Sequence, residues 1–219
     1  MRVNLWRARR ERGDDGFTLI ELILSVAILG IVSAALLEIV FQYVKTTSDT
    51  SSRLNESTDQ QFISTYWQDD VSSLGRRSFN AATGTFSTDQ SVFAGGGGPG
   101  SCGSSVGSVA VALAWNEFAV GVAPAADPWV STPHEVAYVT VPNGPRFQLE
   151  RVRCKNGAMV GLPVTVAHNL TGIPTISCDT TCAAATPPNR VSMTFTVKDA
   201  ANANSPGYTT TVSADRRES

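Results

Sequence analysis

Between Phe17 and Leu74 the chain holds one glycine, Gly30, and no proline, whereas all 11 prolines lie at or beyond Pro99. Proline removes a helix hydrogen bond, and glycine in a helix interior costs about 1 kcal/mol, so a stretch this free of both reads as helix. Residues 17–74 are predicted to form one long helix, straight or bent, roughly 85 Å in length at ~1.5 Å per residue. That exceeds what a globular domain of this size class uses. A second compositional break falls at residues 95–100, where four glycines are followed by Pro99 and Gly100; with the serines and glycines after it, this predicts a loop over 95–108.

Leu22 to Leu37 contains no charge and only two serines, Ser25 and Ser33, both able to bond back to a helix carbonyl. With the flanking apolar residues it is long enough to cross a ~30 Å hydrocarbon core. Two acids interrupt the run. Glu38 lies near its end, within reach of an interface, whereas Glu21 lies near its start, where an ionised carboxylate costs a few kcal/mol unless something pairs with it. The 17 basic and 19 acidic residues give a net charge of −2, which excludes a broadly basic nucleic-acid binder. The charge is unevenly placed: residues 1–16 hold five arginines against three acids, and the remainder is acidic. The basic head is expected to stay cytoplasmic and the body to lie outside, a compartment in which disulfides persist. A cleaved secretory signal is the plainer alternative, but Ser33-Ala34-Ala35 is a weak site for it and the helical pattern continues past it.

Gly16-Phe17-Thr18-Leu19-Ile20-Glu21-Leu22-Ile23 resembles the prepilin signal shared by type IV pilins and the pseudopilins of type II secretion and competence systems. The resemblance implies cleavage between Gly16 and Phe17 by a membrane-bound aspartic prepilin peptidase, followed by N-methylation of Phe17. Glycine presents no side chain, so backbone approaches the catalytic carboxylates closely. In that family the glutamate is thought to pair with the N-terminal amine of an adjacent subunit, a role that falls here to Glu21 and would set the axial register of the helices. Asp14-Asp15 stands where the family more often has basic residues, and the leader is fairly long. The implied organisation is a leader over 1–16, a transmembrane and assembly helix over 17–44, an amphipathic helix over 45–75 and an extracytoplasmic β-rich head over 76–219. Implied partners are other pilins or pseudopilins, the peptidase and a membrane assembly platform, with no small-molecule substrate.

Within the second part of the helix, Ile63, Trp67, Val71 and Leu74, with the pair Phe62 and Tyr66, form a stripe at helical spacing, and Leu54 precedes it. Such a stripe packs a helix onto its own domain. Strands are predicted over 106–115, 135–141, 146–153, 164–167, 190–197 and 208–212; Val191 to Val197 shows the cleanest apolar–polar alternation. Asn143-Gly144 predicts a hairpin turn and 199–207 a longer hairpin loop. The fold class is α+β, pilin-like: a long N-terminal helix packed on a C-terminal antiparallel sheet. Cys102, Cys154, Cys178 and Cys182 allow three disulfide pairings. A small staple from Cys178 to Cys182 would leave Cys102 to tie the glycine-rich loop to the strand ending at Cys154. A four-cysteine zinc site is the alternative, without the paired CxxC knuckles it usually has.

Catalytic signals are weak. Gly103-Ser104-Ser105-Val106-Gly107 fits the GxSxG pattern, but a nucleophile elbow needs a strand before it and a helix after it. His134 and His168 are far apart, without HxxxH partners, and the glycine run lacks the lysine of a phosphate loop. Asp199, Asn202 and Asn204 offer oxygen ligands for calcium, though a solvated turn accounts for them as well. Asn55 and Asn169 fall in glycosylation-type triplets. The leading expectation is a minor pilin or minor pseudopilin precursor, not an enzyme and without a cofactor. A second reading is a tip-proximal subunit that captures a ligand or DNA through the glycine-rich loop and residues such as Trp129. Arg76-Arg77 and Arg151 with Arg153 would be its only close basic pairs. A membrane-anchored hydrolase using Ser105 is the third.

Overall fold

The computed structural model describes residues 16–75, 77–80, 82–87, 89–118, 131–198 and 207–217. Helix α1 covers Leu19–Ser72, within the predicted 17–74, and the chain divides into two compact units, Met1–Ser51 and Ser52–Ser219, with the boundary inside α1. The helix ends in two tightened turns, the N–H groups of Ser73 and Leu74 bonding to the carbonyls of Asp70 and Val71. Gly75 then takes a φ of +126°, a region that favours glycine and so stops the helix there.

Eleven strands follow among the described residues. β1 (Ser78–Asn80) and β2 (Thr85–Ser87) make a separate hairpin. The main sheet contains β3 (Val92–Ala94), β4 (Ser108–Phe118), β5 (Ser131–Asn143), β6 (Arg146–Lys155), β8 (Val164–Leu170), β10 (Arg190–Val197) and β11 (Tyr208–Asp215), in the order β11-β10-β8-β6-β5-β4-β3. β7 (Ala158–Met159) adds to β6 and β9 (Thr175–Cys178) adds to β10, and every pairing is antiparallel. The α+β class read from the sequence is the class observed. The six predicted strands correspond to β4, β5, β6, β8, β10 and β11, most of them longer than their apolar runs. β5 continues through Pro133 and Pro142, which pair with Asn116 and Phe147. The predicted Asn143-Gly144 turn shifts by one residue: Asn143 pairs with Arg146, so Gly144 and Pro145 are the two turn residues, and Gly144 at φ +60° supplies the positive φ needed at the first of them.

Within the second unit, Ile63, Trp67 and Val71 are completely buried and Leu74 nearly so, against Val111, Leu113, Tyr138, Leu149, Val191 and Met193 of the sheet. Each such side chain contributes about 1.5–3 kcal/mol by leaving water. Phe62 and Leu54, expected near this stripe, are more than half exposed: the packed residues follow one another at four- and three-residue steps, and both of the others fall outside that face. Trp67 Nε1–H donates to the Val191 carbonyl at 3.1 Å, and its ring meets Tyr138 edge-on at 5.1 Å.

A charge lies inside this core. Asp70, 3% exposed, accepts from Arg151 Nε at 2.7 Å and Nη2 in a bidentate pair, and Oδ2 also accepts the Tyr138 hydroxyl at 2.8 Å. The guanidinium lies 4.9 Å over the Tyr66 ring. Burial alone would lower the Arg151 pKa, but the bonds and charge of Asp70 raise it, so the cation is secure. Burial, and after it the charge and hydrogen bond of Asp70, push the Tyr138 phenol well above its ordinary value.

The sheet's other face is covered too. Ala112, Ala137, Val139 and Val152 form a second buried cluster with Cys102 and Cys154. The glycine-rich segment lies on it: Glu135, 5% exposed, accepts the N–H groups of Gly100 at 2.9 Å and Cys102 at 3.3 Å. A Cβ on Gly98 would overlap the Glu135 carboxylate, and one on Gly107 would come within 2.5 Å of the Thr140 carbonyl. The glycines let backbone pack on backbone, and β5 is buried on both faces as a result.

Two outcomes follow. Gly98→Ala lowers stability by about 1–3 kcal/mol, as overpacking does, whereas Gly97→Ala, where a Cβ meets nothing within 4 Å, leaves it unchanged; denaturant titration of the full chain reads both. The second concerns alkaline pH. Below about pH 10 the phenol is protonated in folded and unfolded chains; above it the unfolded chain releases the proton first, so stability falls as pH rises. Thermal melts between about pH 9 and 11 should show a steeper loss for the native chain than for Tyr138→Phe, which has no phenol to ionise.

Candidate functional site

The first unit presents the octapeptide. Gly16, Phe17 and Thr18 precede the helix, so the peptide bond between Gly16 and Phe17 is outside the helical hydrogen-bond ladder, and among the described residues nothing lies within 4 Å of where a Gly16 Cβ would be. Thr18 caps the helix: its hydroxyl and carbonyl accept the Glu21 N–H at 3.3 and 3.0 Å, and the carbonyl accepts from Leu22 at 3.1 Å. Thr18-Leu19-Ile20-Glu21 is thus a capping box in sequence and at least its hydroxyl half in structure. Glu21 stands in the first helical turn, where the helix dipole favours a negative charge by about 0.3–1 kcal/mol. Ser25 Oγ–H bonds back to the Glu21 carbonyl at 2.7 Å. The T-x-x-E spacing was present in the sequence but hidden within the longer motif, so the role of Thr18 was missed.

Beyond this cap, Leu19–Ser51 is long and apolar enough to cross a membrane, and none of its apolar window is buried. Large apolar side chains from Phe17 to Val44 are exposed to between 48% (Val32) and 77% (Leu19). The apolar surface runs all around the helix and is not confined to one stripe, a pattern stable only in lipid or among other helices.

In the second unit the cysteines are joined as Cys102–Cys154 and Cys178–Cys182, and none is free. The first closes a sequence separation of 52 and constrains the unfolded chain by about 4 kcal/mol in the loop-entropy account; the second, at a separation of 4, does so by about 2 kcal/mol. A cavity of about 370 Å³ is lined in part by Arg77, Asp89, Gly100, Asn116, His134 and Glu135. His134 stacks on Trp115 and places Nε2 3.1 Å from Glu117 Oε2, while Glu135 is engaged in holding the loop. His168 is elsewhere, its N–H and Nδ1 against the Asp59 carboxylate at 2.8 and 3.1 Å. The two histidines hold different parts of the domain and do not converge.

Ser105 lies in a turn that leads into β4, whereas a nucleophile elbow leads into a helix. Arg151 is consumed by Asp70 inside the core, which removes it from any surface basic pair with Arg153. Arg76, Trp129, Asp199, Asn202, Asn204 and the leader before Gly16 lie outside the described residues.

Residues 12–37 match the family described as the prokaryotic N-terminal methylation motif. No curated protein and no solved structure matches the chain. The matched segment contains the Gly16–Phe17 bond, the Thr18 cap, Glu21 and the charge-free run to Leu37. This motif opens a long apolar helix, and a large antiparallel sheet follows in the chain, an arrangement that supports a likeness to the type IV pilins and pseudopilins.

Proposed function

We propose that this protein is a minor pilin or minor pseudopilin precursor whose role is assembly. The prepilin peptidase cuts between Gly16 and Phe17, the new amine on Phe17 is methylated, and the chain is anchored with its arginine-rich leader cytoplasmic and its head outside. The apolar helix then leaves lipid for a bundle of like helices. Glu21 is paired at that step by the N-terminal amine of an adjacent subunit, which offsets the few kcal/mol of holding a carboxylate in an apolar surrounding and fixes the axial step. The observation that carries this reading is the helix surface from Phe17 to Val44, apolar on all sides and unburied within the chain, next to the methylation motif. A structural part, in place of a catalytic one, is supported by the same motif.

Two measurements test it. Mass spectrometry of membrane-extracted protein should find a chain beginning at N-methylated Phe17; retention of Met1, or a cut well past residue 30, contradicts the reading. Glu21→Ala should insert in the membrane normally yet enter fibres at about one-tenth the native level or less, the loss of one partly desolvated ion pair being worth at least ~1.4 kcal/mol. Native incorporation of that variant removes the pairing role from Glu21.

A further inference from the structure

The cavity of about 370 Å³ bordered by Gly100 of the glycine-rich loop has no part in the assembly role, and its walls are held in place by the fold itself. Glu135 binds the Gly100 and Cys102 N–H groups, and the Cys102–Cys154 disulfide ties the same loop to β6. The Pro133 carbonyl accepts the Asn156 N–H at 3.0 Å, and Asn116 Nδ2 donates to Ser131 Oγ at 3.0 Å. A space of this size is in the range that takes small ligands, and one formed in advance costs little ordering when it is filled.

Its charged groups are not spent on one another. Four buried side-chain nitrogens have no hydrogen-bond partner among the described residues, and two of them, Arg77 Nε and His134 Nε2, belong to residues that line this cavity. Glu117 Oε2 lies 3.1 Å from His134 Nε2 but is not aligned to bond with it. Arg77 and Asp89 both line the cavity, yet among the described residues they make no ion pair, with each other or with any other side chain. A guanidinium donor shut off from water and left unpaired is costly, so such a position calls for an acceptor.

The same lining excludes most occupants. Among the described residues no group of three His, Cys, Asp or Glu side chains is placed to hold a metal ion. A polyanion would meet Asp89 and the buried Glu135, and an apolar molecule would strand the charges of Arg77 and Asp89. The Glu135 carboxylate is committed to two N–H groups, which leaves one cation and one carboxylate to be matched. A ligand carrying both a carboxylate and an ammonium matches them, and the arginine fork suits a carboxylate better than any other group here.

We propose that this cavity binds a free α-amino acid, its carboxylate on the Arg77 guanidinium and its ammonium on Asp89, with His134 Nε2 and the Asn116 amide open to a polar side chain. The site is formed within the Ser52–Ser219 unit and does not depend on the assembly role proposed above.

The test is isothermal titration calorimetry on the full-length chain in detergent, with each common L-amino acid in turn. At least one should bind saturably with a Kd of about 1 mM or below. Its N-acetyl derivative and its carboxamide each lack one of the two charges and should bind about tenfold more weakly, as should acetate. Arg77→Met should weaken the amino acid about tenfold and abolish the preference for it over its carboxamide. Asp89→Asn should likewise abolish the preference for it over the N-acetyl derivative. Neither side chain has a partner to lose, so melting temperatures should stay at the native value; should a variant fold poorly, the comparison of the amino acid with its two derivatives on the native chain decides alone. Absence of binding by every amino acid overturns the proposal. So does a derivative or acetate binding as tightly as the amino acid, or native affinity in folded Arg77→Met.

Discussion

Asp70 is a carboxylate inside an apolar core, and the second unit is organised around satisfying it. An isolated buried charge is too costly to persist, so Asp70 needs both the bidentate Arg151 and the Tyr138 hydroxyl. Those two residues come from β6 and β5, and Asp70 from the last turns of α1. The network therefore admits one rotation and one height for the end of the helix over the sheet. Apolar contacts alone would tolerate sliding by a turn; a bidentate pair would not. Trp67, one turn earlier, adds a directional bond to the Val191 carbonyl and so fixes the helix against β10 as well.

A sheet packed on one face only would leave β5 half solvated, but its residues 135–140 are buried without alternation. The reason is the glycine-rich segment, which the sequence marks as a loop and which acts as the cover of the second face. A glycine loop is a poor cover unless it is held, because it loses more conformational freedom than any other segment. Here Glu135 receives two of its N–H groups and the Cys102–Cys154 disulfide ties it to β6. One buried carboxylate aligns the helix on one side of the sheet, and another holds the loop on the opposite side.

Much of this was legible beforehand because it rests on local pattern. The absence of glycine and proline marks α1, the octapeptide marks its start, and alternation marks β10 and β11. β1, β2, β3, β7 and β9 were missed because two to four residues cannot display a period; β3, β7 and β9 exist through pairing with a longer neighbour, and β1 and β2 through pairing with each other. The Asp70–Arg151 pair is separated by 81 residues, and no local window joins them. Arg151 looked like surface charge beside Arg153, although the strand period puts the two on the same side; only the arrival of Asp70 explains why one of them is buried. Phe62 was misplaced for the opposite reason, since a stripe drawn one residue too wide still looks helical.

Near its two ends α1 carries a carboxylate, and the two answer different physical problems. At Asp70 the carboxylate is permanently paired within its own chain and stabilises a fold. At Glu21 the carboxylate stands exposed in the first turn, assisted by the helix dipole and by a Thr18 cap on its own N–H. The cap engages the Glu21 backbone N–H and, among the described residues, leaves its carboxylate oxygens open to a further partner. An acid fully neutralised within its chain would have nothing to offer a neighbouring subunit, and one without the cap and dipole would be harder to hold at a membrane surface. An exposed carboxylate at this position is what the assembly step proposed above would use.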